Sequence, residues 1–317
     1  MAVYTVGSVA SGATYLTHTT AYAAALADVD HGYEIRTVES GIYAGQTLNT
    51  TGLSNGSFTK DPGVDYTIEL DNTAIRAWIY DGGLTMTGGC IKTNANRPFL
   101  NGAGTATFTD VEFYITSGAT ARVWDNTASG VNNFINCRFL GDVQTMSTVF
   151  FLLTGGTNNF VNTYISSNLS ATLGVVYVST STTNPMSMTG VGYGGASPLV
   201  RIDAGQTVSE LSIYGSYAQH LVDNNGVIAT GTYAYNTYDT TDAGTDSATD
   251  QPGIADFKVD NRGIPMESSP LFRLIPPGQD NAGDFDALGS PRHTGGRVDG
   301  GPLQNQTQPR LALELIA

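Results

Sequence analysis

An evenly spaced repeat constrains this chain more than any other feature. FTDVEF begins at Phe108, FINCRF at Phe134 and FVNTYI at Phe160, so the two steps between them are equal. Every copy opens and closes on an apolar residue and carries a short polar side chain third: Asp110, Asn136 or Asn162. Two copies follow asparagine pairs, Asn132–Asn133 and Asn158–Asn159. Repeats of this length are units that cannot bury an apolar face alone and must stack on their neighbours. Weaker copies extend the series: MTGGCI from Met86 upstream, then MTGVGY from Met188, VSELSI from Val208 and VIATGTY from Val227 downstream. YTIELD from Tyr66 and YEIRTV from Tyr33 read as earlier turns.

The expected fold is therefore all-β: a single-stranded parallel β-helix of about seven to nine coils, each a short strand, a bend and further short strands. Stacked at about 4.8 Å per coil, eight coils make a rod of roughly 40 Å. Phe108, Phe134 and Phe160 should form a ladder inside it. Asp110, Asn136 and Asn162 should sit at a bend, because short amide and carboxylate side chains bond local backbone and tolerate left-handed geometry. Cys90 and Cys137 fall about two coils apart, roughly 10 Å, too far for a disulfide. Two buried free thiols are expected. A solenoid end must be capped, and Tyr22, Ala25, Leu26 and Val29 make a helical stripe. A helix over 20–29, capped by Thr19 or Thr20, should plug the N-terminal end. The domain reading is a cap over 1–32, the β-helix over 33–255, a closing segment over 256–304 and an extended arm over 305–317.

Composition narrows the function. Charged residues are 13% of the chain, about half the usual share, and the net charge is −14. Lysine occurs only at Lys60, Lys92 and Lys258. With no cluster of cations expected to displace counterions from phosphate, nucleic acid is not an expected partner, nor is an anionic membrane. No apolar run follows Met1, so neither a secretory leader nor a transmembrane helix is expected. A protein made in a host cytoplasm and carried in a virion fits that pattern.

The stretches DFKVDNRGIPMESSPL (256–271) and DFDALGSPRHTGGRVDGGPLQ (284–304) resemble the closing segment of right-handed parallel β-helix proteins of the pectate-lyase-like superfamily. The family's Ser-Pro phrase maps to Ser269–Pro270, and its ending to Asp286, Gly289, Arg292, Gly296, Asp299 and Gly301; Gly300–Gly301 departs slightly from the usual pattern. YEIRTVESGIYAGQTL (33–48), with the short helix before it, is similar to that superfamily's entry turn. The resemblance implies a right-handed β-helix, not an activity, since the superfamily includes lyases, hydrolases, bacteriophage tailspikes and non-catalytic virion proteins.

Chemistry is sparse along the chain. No Asp, Glu, Lys, Arg or His occurs from Val143 to Val200, so that stretch holds no general acid or base. Paired carboxylates of a glycosidase would have to come from Asp110, Glu112, Asp125 and Asp142 on one side, or Asp203, Glu210 and Asp223 on the other. Asp110 reads as a bend residue, and Glu112 as an exposed ion pair with Arg138 one coil on. No catalytic residue is expected. His18, His31, His220 and His293 are scattered, and Asp239, Asp242, Asp246 and Asp250 lack a calcium-loop pattern. Neither a metal nor a cofactor is expected. Tyr164, Tyr177, Tyr193, Tyr214, Tyr217, Tyr233, Tyr235 and Tyr238 could stack on sugars; core or subunit contact is the preferred reading. After Pro309, Leu311, Leu313 and Leu315 alternate as in a strand and are the candidate partner-binding residues, joining another subunit by strand addition.

These readings converge on a structural virion protein, a bacteriophage capsid decoration or cement protein. Its expected partners are other copies, as a dimer or trimer, and a virion protein such as the major capsid protein. The alternative is a tailspike-like protein that binds or cuts host polysaccharide, with host glycans as partners.

Overall fold

The computed structural model describes residues 2–276 except 28–31, 50–55, 72, 74–75, 81, 95–96, 117–121, 128, 143, 147–148, 243, 255, 260–263, 267 and 272–274, and also describes 301–302. It is a parallel β-solenoid of about seven turns with a single α-helix among the described residues. Coils in the body of the rod lay one strand on each of three faces, and all pairing between named strands is parallel.

The first face is a 10-stranded sheet running from Ala2–Val6 to Gly231–Ala234. The even step of the repeat is its register: Phe108 faces Phe134, and Phe134 faces Phe160. Alternation along Thr105–Thr109 and Val131–Ile135 turns these rings inward, where they stack at centroid distances of 5.5 and 5.1 Å. On the second face Phe113 lies on Phe139 at 4.7 Å, and on the third Phe99 lies on Trp124 at 4.0 Å, all four fully buried. One long strand, Gly192–Ile202, turns the corner between the second and third faces and joins them into a 15-stranded sheet. At another inner corner Trp124 Nε1 donates to Tyr80 Oη, and Tyr80 Oη and Asn101 Nδ2 both donate to Asn132 Oδ1. Asn132 Nδ2 in turn donates to Asn158, so the first asparagine of each pair closes a buried polar seam.

The bend behaves as the sequence implies. Asp110, Asn136 and Asn162 have φ of 57°, 54° and 49°. Gly88, Gly190, Gly215 and Tyr235 share the left-handed conformation at the same point of other coils. Asn162 donates to Asn136, and Asn136 to Asp110, each at 3.2 Å.

Some registers differ from the sequence reading. Tyr66–Leu70 belongs to the second face, between Gly41–Gln46 and Cys90–Thr93, so YTIELD is not a first-face copy. Val208 and Val227 begin no first-face strand; their segments pair in a separate two-stranded sheet, and Met188 faces Ile213, which faces Tyr233. The helix spans His18–Ala27 rather than 20–29, and Val29 lies outside the described residues. Thr17 is its cap: its Oγ1 accepts from the Thr20 amide at 3.1 Å. Its buried stripe is His18, Ala21, Tyr22 and Ala25, set against Tyr33, Phe58 and Tyr66 at the end of the rod. Cys90 and Cys137 are free, as expected, but Cys90 is only partly buried because it stands on the outward side of its strand.

Candidate functional site

The left-handed bends open a groove of about 640 Å³ along the joint between the first and second faces. Asp65, Asp110, Glu112, Cys90 and Arg138 line it. Strand register brings Cys90, Glu112 and Arg138 side by side on three successive coils. Arg138 donates to Glu112 at 2.6 Å, and both side chains are partly buried rather than exposed. Asp110 is held by Asn136, and Asp65 projects into solvent 3.7 Å from Lys60. Burial and the Glu112 charge push the Cys90 thiol up to about 12, and burial pushes Cys137 up to about 12. Both are therefore poor thiolates near neutrality.

The remaining acids are dispersed. Asp125 is buried among arginines, Asp142 accepts from Tyr114 Oη at 3.3 Å, and Asp223 pairs with Arg201 at 3.1 Å. Hydrogen bonding from Tyr177 holds Asp203 below the usual carboxylate range. Glu210 is exposed. Asp250 accepts from the Asn236 and Ser247 amides, and its burial raises its pKa; Asp242 accepts from the Asn224 amide, and Asp239 and Asp246 are exposed. Among the described residues no three His, Cys, Asp or Glu side chains gather as a metal site. His18 is buried in the cap, His220 contacts the Val222 carbonyl at 2.9 Å, and His31 and His293 lie outside the described residues. Leu311, Leu313 and Leu315 also lie outside them, as do Asp286, Gly289, Arg292, Gly296 and Asp299.

The run without Asp, Glu, Lys, Arg or His covers Thr157–Val161, Tyr164–Ile165, Gly174–Thr180, Met186–Thr189 and most of Gly192–Ile202. Those strands occupy all three faces, so the run is a neutral belt round the whole rod rather than one wall. Ser167, Asn168, Thr172, Ser181 and Thr183 are exposed on it. Beside the belt, Asp256, Phe257 and Lys258 fold back onto Tyr217, leaving a cleft of about 380 Å³ bounded by Tyr164, Ser166 and Gln219. Gly301, at φ 88°, packs on the same tyrosine, where a Cβ would come within 2.6 Å of its ring. Of the eight tyrosines that could have made a sugar platform, Tyr164, Tyr193, Tyr217 and Tyr238 are buried and the others partly so. Most of that aromatic area is core.

One constellation escapes the sequence reading. Arg76, Arg97 and Arg122 each stand two residues before a third-face ring, Trp78, Phe99 and Trp124, and those rings are in register. The Arg76 amide donates to the Arg97 carbonyl at 2.9 Å, and the Arg97 amide to the Arg122 carbonyl at 3.0 Å. Three guanidinium side chains thus rise from adjacent coils, correcting the expectation that cations are nowhere gathered. The motif Arg-x-aromatic is visible at each site, but its two steps, from 76 to 97 and from 97 to 122, are unequal and form no fixed period. Comparisons with protein-family models, curated proteins and solved structures gave no match.

Proposed function

We propose that this protein is a non-catalytic structural component of a virus particle, a bacteriophage capsid decoration or cement protein that acts by presenting its surface. The neutral belt is the observation that carries the reading. Hydroxyls and amides on a stacked backbone offer a rigid contact surface with no charges to desolvate, a cost that ionic surfaces pay on association. Self-association as a dimer or trimer, docking on a major capsid protein and residence in the virion belong to the same proposal. So does membership of the pectate-lyase-like superfamily, which rests on the closing-segment motif.

A second reading draws on the cleft beside Tyr164 and Tyr217: a tailspike-like protein that grips or cuts host polysaccharide. Incubating the purified full chain with bacterial capsular and lipopolysaccharide fractions separates the two. The structural reading expects no new reducing ends, no unsaturated uronate absorbance and no retention on the immobilised glycans. An antibody raised against the chain should label intact particles; failure to label them, or release of sugar fragments, overturns it.

A further inference from the structure

We infer that Arg76, Arg97 and Arg122 form a binding site for a doubly charged tetrahedral oxyanion of the phosphate-monoester class. Elsewhere on the second and third faces a cation meets a single acid from the adjacent coil: Lys92 with Glu69 at 3.0 Å, Arg138 with Glu112 at 2.6 Å, Arg201 with Asp223 at 3.1 Å. These are one-to-one pairs. At the arginine ladder only one described carboxylate, Asp125, whose side chain is 3% exposed, is paired with any of the three guanidinium groups, and it is shared by Arg76 and Arg122. Arg122 contacts that carboxylate closely, and Arg76 reaches it only at 4.0 Å. Arg97 makes no ion pair with any described residue, and its Nε is buried without a hydrogen-bond partner. Among the described residues the ion pairing leaves a local surplus of two positive charges, in a chain of net charge −14.

Like charges about 4.8 Å apart on neighbouring coils repel, and proximity to Arg97 and Arg76 lowers the pKa of Arg122 after burial has lowered it first. The backbone adds to the cost. Arg76 and Arg97 have φ of 63° and 59°, a conformation in which a long side chain is uncommon. Strain of this kind persists only where the surroundings fix it, and it gathers at ligand sites. Here the surroundings are rigid: Trp78, Phe99 and Trp124 are fully buried beneath the ladder, and Phe99 and Trp124 lie nearly parallel, 10° apart. Guanidinium forks held on such a base are preorganised for bidentate contacts to oxyanions. A surplus of two charges selects a dianion over a monocarboxylate.

The test is calorimetric titration of the full chain with inorganic phosphate, sulfate and acetate at ionic strength fixed with chloride. Phosphate and sulfate should bind, acetate should not, and Arg97→Gln should weaken phosphate by about tenfold or more. Arg36→Gln, which removes a guanidinium already beside Glu34 and Asp61, should bind phosphate as the parent does. If Arg97→Gln fails to fold by circular dichroism, Arg76→Gln replaces it with the same expectation, since that side chain is 44% exposed. Absence of phosphate binding, equal binding of acetate, or unchanged affinity in the arginine variant overturns the inference.

Discussion

At Asp110, Asn136 and Asn162 the backbone takes a conformation that costs an ordinary L-residue about 1–2 kcal/mol. Asparagine and aspartate reduce that cost through local hydrogen bonds, and here the side chains also bond each other along the rod. Asn136→Val should therefore lose both benefits. A destabilisation of about 2 kcal/mol is expected in urea unfolding, while Asn136→Gly should stay within about 1 kcal/mol of the parent because glycine keeps the backbone free. Equal effects of the two substitutions would contradict this account. The third-position polar residue is legible in the sequence because it recurs at the same distance from the start of each strand. Arg76 and Arg97 adopt the same backbone geometry without a residue type that announces it, so nothing in their sequence marks the bend.

The helix His18–Ala27 shows what a stripe of residues reveals and what it hides. The apolar stripe marks Tyr22 and Ala25 as the inner face, and they are buried. A stripe of apolar residues leaves out His18, yet it is fully buried, with Nε2 3.0 Å from Thr37 Oγ1 and its ring on Tyr66. Including it moves the stripe back one turn and makes Thr17 the cap. Burial lowers the His18 pKa from 6.5 to about 3, so the ring is neutral in the fold and charges readily only when unfolded. The unfolded chain thus binds the extra proton, and stability is lost as pH falls from about 6.5 toward 3. The loss attributable to this group is on the order of a few kcal/mol. Urea midpoints measured from about pH 7.5 to about pH 4 should fall less steeply in His18→Gln than in the parent; parallel curves would exclude the assignment.

Across the whole molecule, each coil rests chiefly on the coils before and after it, so stability accumulates by nearest-neighbour contact. Phe134 sits in mid-stack, touching Phe108, Phe160, Phe139 and Trp124. Phe134→Ala should cost about 3–5 kcal/mol and weaken the coupling between the two halves. Two resolved unfolding transitions are expected in calorimetry, where the parent gives one; a single shifted transition would argue against this weakening. The stack also explains which registers are legible in the sequence. Phe108, Phe134 and Phe160 are evenly spaced, but the step on to Met188 is longer, the next to Ile213 is shorter, and the last to Tyr233 is shorter still. Corners absorb these differences without disturbing the strands, and a fixed period loses its place at Val208 and Val227. Third-face strands such as Phe99–Asn101 are only 3 residues long, too short to declare a repeat.

Among the described residues the first strand, Ala2–Val6, pairs with a named strand on one side only, the position from which parallel sheets recruit foreign strands. Tyr15 returns to that open side, accepting from the Gly7 amide and donating to the Thr5 carbonyl, and Thr14 bonds the Thr5 hydroxyl. The run of exposed amides needed to template a further layer is interrupted there. Fibre growth by end-on stacking is disfavoured on that edge of Ala2–Val6.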